Sequence, residues 1–154
     1  GSAVAQRLAG LGYRVSGWRA RDAVPLGQAL AGAEVVVNLL PLTPATRGLL
    51  DARAFAALPR GASLVNLARG AHVVDADLLA SLDSGHLHRA VLDVFATEPL
   101  PADHPFWRHP QVTVLPHAAA LTDERSAALI AVANLRAVAR GEPAANLVDR
   151  ARGY

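Results

Sequence analysis

Short apolar runs alternate along the chain with stretches whose apolar residues recur at helical spacing. Four runs are dense in Val and Leu: Glu34–Leu40 (EVVVNLL), Ala62–Leu67 (ASLVNL), Arg89–Phe95 (RAVLDVF) and Gln111–Leu115 (QVTVL). Their length and β-branched content predict buried strands, and Tyr13–Trp18 predicts a short fifth. Helices are expected over Ser2–Leu11, Leu26–Ala31, Asp51–Leu58, Asp75–Leu82 and Thr122–Arg140. Gly12 and Gly141 suit left-handed closing positions after the first and last of these. Asp75 suits a helix start, and Thr122 is the expected N-cap of the last helix, with Asp123 and Glu124 at its positive end. Pro41–Gly48 is rich in turn residues.

Near-continuous Val/Leu strands alternating with helices imply an α/β fold, a doubly wound parallel sheet covered on both faces. Such sheets bind ligands at the C-terminal ends of their strands. The residues just beyond each strand therefore matter most. Pro41-Leu42-Thr43-Pro44 comes after the first Val/Leu run and Ala68-Arg69-Gly70 after the second. Ala96-Thr97-Glu98-Pro99 comes after the third and Pro116-His117 after the fourth. An Arg, a Glu and a His can thus converge on one crevice. Taken singly, each has an ordinary explanation: a solvated loop arginine, an exposed loop acid and a structural histidine.

Composition narrows the classes. The 154 residues are 52% hydrophobic and 18% charged, which is enough to bury a sizeable core. No run of roughly 18 apolar residues free of charge or breakers occurs, so no transmembrane helix is expected, and no signal peptide opens the chain. Cysteine is absent, which excludes disulfides, a thiol nucleophile and Cys-ligated zinc. Every one of the 15 basic residues is Arg and 33 positions are Ala, a compositional bias. The isoelectric point near 9.9 reflects arginine's persistent charge, since net charge is only +2. Basic and acidic residues are interspersed, which argues against nucleic-acid binding. His72, His86, His88, His104 and His109 suit surface or packing roles. The 86/88 pair has metal-like spacing but no third ligand, so no metal site is expected. Trp107 suits either packing or a substrate pocket. The composition fits a soluble, cytoplasmic protein.

Three blocks together resemble the D-isomer-specific 2-hydroxyacid dehydrogenases: Asn66-Leu67-Ala68-Arg69-Gly70, Leu92-Asp93-Val94-Phe95-Ala96-Thr97-Glu98-Pro99 and Pro116-His117. Leu39-Leu40-Pro41, Asp83-Ser84-Gly85, Glu98-Pro99-Leu100-Pro101, Phe106-Trp107-Arg108-His109-Pro110 and the closing stretch from Val148 to Tyr154 are most similar to glyoxylate/hydroxypyruvate reductases of the A type. The resemblance implies a Rossmann-type dinucleotide-binding domain and reduction of a small 2-keto acid. It implies that Arg69 holds the substrate carboxylate, where a planar guanidinium can pair bidentately. It implies that His117 is the general acid and Glu98 the carboxylate that orients it. Asp93 matches the position that hydrogen-bonds the nicotinamide carboxamide. Leu40, Pro41, Thr43, Ala68 and Ala119 match other cofactor-lining positions.

The family's Gly-x-Gly-x-x-Gly fingerprint is cut short here. Gly1 stands where its third glycine belongs, followed by Ser2, so the domain is expected to be incomplete at its N-terminal edge. After Trp18 come Arg19 and Arg21, where NAD-preferring sheets place an acid for the ribose hydroxyls. A basic turn favours a 2′-phosphate and predicts NADPH over NADH; the plainer alternative is two solvated arginines. The stretch between Trp18 and Ala33 is about ten residues shorter than in relatives, by the resemblance. Residues 1–121 are expected to form the truncated dinucleotide-binding domain. Residues 122–154 would form a helix and tail that in relatives returns to a substrate domain, absent from this sequence. The intact protein is expected to be a homodimeric enzyme and these 154 residues alone to be nearly inert. Other expectations stay open: a non-catalytic dinucleotide sensor or corepressor-like protein on the same fold, a catalytically inert fragment, or another substrate such as phosphoglycerate or a bulkier 2-keto acid.

Overall fold

The computed structural model describes residues 1–149. Its contacts divide the chain into a unit ending at His117 and a second beginning at Ala118. The first unit runs α1 (Ser2–Gly10), α2 (Leu26–Leu30), β1 (Val35–Asn38), α3 (Ala52–Ala56), β2 (Ala62–Asn66), α4 (Asp75–Asp83), β3 (Leu87–Leu92) and β4 (Val112–Val114), with 3-10 turns at Gly70–His72 and Pro105–Trp107. The second contains α5 (Glu124–Ala139). The four strands form one parallel sheet in the order β1-β2-β3-β4.

Strand alternation sorts the sheet into two faces. Leu64, Ala90 and Leu92 lie on the buried face and meet Phe55, Leu78, Leu82 and Phe106 in the core. Leu78 and Leu82 stand four apart on α4, so they share one side of the helix. Each such fully buried side chain contributes about 1.5–3 kcal/mol of hydrophobic stabilisation. Asp51 caps α3 by accepting the Arg53 and Ala54 N–H groups. Asp77 of α4 accepts the Ala52 N–H at the same helix end, at 2.8 Å. Residues of the other face are less covered within this unit. Arg89 and Thr113 are exposed and Val65 and Val91 half-buried.

Several local expectations are corrected. Tyr13–Trp18 is not a strand. An extended run becomes a strand only when a neighbour takes its N–H and C=O groups. None of β1–β4 takes those of residues 13–18, and Tyr13 is 65% exposed. β1 is an edge strand rather than a deeply buried one, with Val35 57% exposed and only Asn38 fully buried. β3 begins earlier than expected and ends at Leu92. The N-cap of α5 is Asp123, not Thr122: its Oδ1 accepts the Ser126 N–H at 2.8 Å. Asp75 is the first residue of α4, where its charge suits the helix dipole; the cap position itself is Val74, with no side-chain bond. Gly12 and Gly141 do take positive φ after α1 and α5. Among the described residues no helix is long and apolar enough to cross a membrane.

Candidate active site

The four strands end on one line. Asn38 pairs in register with Asn66, Asn66 with Leu92, and Leu92 with Val114. The ladder continues for one more residue: Leu67 N–H donates to Asn38 O, Asp93 N–H to Asn66 O and Leu115 N–H to Leu92 O. Four loops therefore leave the sheet from a common edge, which is where an open parallel sheet places its ligands.

Arg69, Glu98 and His117 all sit in these loops. Glu98 Oε1 accepts the Phe95 N–H at 2.9 Å, and its Oε2 meets His117 Nδ1 at 2.7 Å. His117 has φ +56, a left-handed backbone uncommon outside glycine. The Phe95 N–H, followed by the His117 ring, holds the Glu98 carboxyl below the usual carboxylate range, and the Arg69 charge acts in the same direction. Glu98 therefore stays anionic beside the imidazole. With Nδ1 taken by Glu98, Nε2 is the ring nitrogen left for an incoming ligand. Arg69 is exposed, and its Nη1 donates to the Ala68 carbonyl at 2.6 Å.

The Arg69 loop is pressed onto the loop that leads to Glu98. A Cβ on Gly70 would fall 1.8 Å from the Phe95 carbonyl carbon and 2.2 Å from Ala96 N. Only glycine permits that approach. Its position after Arg69 is legible in the sequence, but its reason is not.

A buried polar network underlies the same edge. Asn38, Thr46, Asn66 and His72 are each at most 4% exposed. Asn38 Nδ2 donates to Asn66 Oδ1 at 2.9 Å and to His72 Nδ1 at 3.0 Å, while Asn38 Oδ1 accepts the Leu40 N–H. Asn66 Oδ1 also accepts the Ala68 N–H, and its Nδ2 donates to the Arg69 carbonyl at 3.1 Å. The Pro41 carbonyl accepts from Thr46 Oγ1 and His72 Nε2. Sequence pattern alone does not mark these four polar residues as a group. The available signal is an Asn near the end of each of two Val/Leu runs.

The remaining expected residues fall in several places. Leu40 and Thr43 are half-buried and Pro41 exposed in the loop after β1, Ala68 is buried after β2, and Asp93 is 2% exposed after β3. Trp18 Nε1 donates to the Val24 carbonyl, and Arg19 is held by Asp22 through both its N–H and its Nε; Arg21 is exposed. Gly1 is the N-cap of α1 and Ser2 its first residue. Ala119 belongs to the second unit. His86 bonds the Phe55 carbonyl, a packing role, and His104 and His109 pair with Asp75 and Asp83 of α4. Trp107 is 52% exposed and donates to the Pro101 carbonyl. Of the closing stretch matched by resemblance, residues 150–154 lie outside the described residues.

Residues 1–119 match the family model described as D-isomer specific 2-hydroxyacid dehydrogenase, NAD binding domain. The chain is 47% identical to glyoxylate/hydroxypyruvate reductase A of Serratia proteamaculans (strain 568), over all of this chain and 53% of that protein. A D-isomer specific 2-hydroxyacid dehydrogenase from Xanthobacter autotrophicus Py2, solved in complex with NADPH and MES, superposes with a TM-score of 0.94 at 47% identity. That match covers 100% of this chain and 68% of the solved one. An NADPH-dependent glyoxylate/hydroxypyruvate reductase from Sinorhizobium meliloti, in complex with NADP and sulfate, gives 0.92 at 37% identity, over 99% and 53%. The chain spans about half the length of the curated relatives it matches.

Proposed function

The chain belongs to the D-isomer specific 2-hydroxyacid dehydrogenases, whose NAD-binding domain it carries, and on that premise we propose that the intact protein reduces a small 2-keto acid, such as glyoxylate or hydroxypyruvate, to the 2-hydroxy acid. The observation that carries the proposal is the 2.7 Å contact between His117 and Glu98, at the sheet edge that also bears Arg69.

Arg69 pairs with the substrate carboxylate through its guanidinium. That fixes the keto carbon relative to the sheet edge. His117 gives the proton on Nε2 to the carbonyl oxygen, and Glu98, bonded to Nδ1, orients the ring and balances the charge of its protonated form. NADPH, when held at this edge, would supply the hydride that balances the proton given by His117, so that the keto acid would become the 2-hydroxy acid.

The donor set fits a dinucleotide at both ends. Leu40, Pro41, Thr43 and Ala68 would line the nicotinamide side and Asp93 would meet its carboxamide. Gly1 and Ser2, at the start of α1, would face the pyrophosphate. Trp18, Arg19 and Arg21 would hold the adenosine end. Two arginines and no acid beyond the Arg19 partner favour a 2′-phosphate, so NADPH is preferred to NADH. The NADPH and NADP bound in the two solved relatives support this choice. By the family resemblance the working protein is a cytoplasmic homodimer, and these 154 residues alone are nearly inert.

The deciding experiment is His117→Asn in the intact protein. Turnover should fall by at least about 100-fold, the usual worth of a general acid, while NADPH affinity by titration stays within twofold to threefold of the wild type. Unchanged turnover would remove His117 from the chemistry.

A further inference from the structure

Both asparagine amides at the strand ends are oriented by backbone groups. Asn38 Oδ1 must face the Leu40 N–H, and Asn66 Nδ2 must face the Arg69 carbonyl. Asn38 Nδ2 therefore has two hydrogens to give, one to Asn66 Oδ1 and one to His72 Nδ1. His72 Nδ1 must accept, so the ring is neutral with its proton on Nε2, aimed at the Pro41 carbonyl. Every donor and acceptor in the chain from Pro41 to Arg69 has one possible role. Protonation of His72 would remove the acceptor that Asn38 needs.

This chain of bonds joins two loops with different proposed tasks. One carries Leu40, Pro41 and Thr43 on the nicotinamide side; the other carries Ala68 and Arg69 on the carboxylate side. We propose that His72, through Asn38 and Asn66, is a positioning residue that fixes the Arg69 loop relative to the Pro41 loop, and so sets how tightly the 2-keto acid is held. The inference rests on Arg69 being the carboxylate anchor. Burial lowers the His72 pKa, which keeps the ring in the neutral form the network requires. The charged groups acting on it, Arg69 and Arg47, stay cationic at all relevant pH.

The test compares His72→Leu with His72→Gln in the intact protein. Leu can neither accept from Asn38 nor donate to Pro41. Gln can do both, with Oε1 and Nε2. Expected for Leu is a fivefold or larger rise in KM for glyoxylate and an equal weakening of oxalate binding to the NADPH complex by calorimetry, with kcat changed less than twofold. Gln should restore both constants to within twofold. If Leu leaves both unchanged, or Gln behaves as Leu, the inference is overturned. Arg69→Gln separates the two levels: an unchanged KM there overturns the anchor itself. A second measurement needs no disruptive variant. As pH falls below 6.5, oxalate binding should weaken more steeply in wild type than in His72→Gln; parallel profiles would also overturn the inference.

Discussion

Gly70 and Phe95 are in backbone contact: the space a side chain would need at Gly70 is filled by the Phe95 carbonyl carbon, 1.8 Å from where a Cβ would stand. Two loops from neighbouring strands are thereby pressed together between Arg69 and Glu98. Gly70→Ala should force them apart. Overpacking of this kind costs about 1–3 kcal/mol and sometimes more. The melting temperature should drop by several degrees, and KM for the keto acid should rise. A variant as stable as wild type would mean that the loops part without cost.

Glu98→Gln isolates charge from geometry. The amide oxygen can still accept the Phe95 N–H, so the loop should hold its shape. What disappears is the negative charge beside His117 and, because the amide nitrogen then faces Nδ1, the acceptor for an Nδ1 proton. The expected outcome is a fall in kcat of about 10- to 100-fold, with little change in KM. Steady-state kinetics at neutral pH distinguishes this from a collapsed loop, which would raise KM as well.

His72 makes stability fall in acid. Its folded-state pKa is lowered from the ordinary 6.5 by burial, so the unfolded chain takes up the proton more readily than the folded one. The stabilisation is therefore complete above pH 6.5 and is lost as pH falls toward the folded value. Thermal unfolding followed from pH 7.5 downward should show this loss in wild type. His72→Gln, which does not titrate, should remove that share of the decline.

Arg19 and Arg21 are expected to set cofactor choice. Replacing both by Ala should weaken NADPH about 10- to 100-fold, the effect of losing one or two charge-assisted phosphate contacts at about 1.4 kcal/mol per tenfold. NADH affinity should change much less. Fluorescence titration with each dinucleotide gives the ratio directly. Because Asp22 already engages Arg19, Arg21→Ala alone is expected to carry the larger share.

The sequence pattern and the structure agree where local signals are strong. All four Val/Leu runs are strands, and each of Arg69, Glu98 and His117 is found just beyond a strand end. A residue following a strand in a parallel sheet has few places to go. The pattern misleads at Tyr13–Trp18, because alternating apolar residues state a propensity and a ladder requires a partner. Thr122 loses the cap to Asp123 since both are good caps one residue apart, and geometry decides between them. The bond between Asn38 and His72 spans 34 positions, and the fit of Gly70 against Phe95 depends on two loops meeting. Neither has a signature in spacing, because both are products of the sheet's register.

That register fixes when the site can exist. Arg69, Glu98 and His117 leave from three different strands whose last residues share one row. Slipping β4 by one residue against β3 would exchange its two faces. Slipping it by two would keep the faces but carry His117 about 6.6 Å along the strand, well beyond reach of Glu98. In the intact protein, native helices with misaligned strands would therefore leave Arg69, Glu98 and His117 apart. Turnover there is expected to appear only once the strands have docked in register.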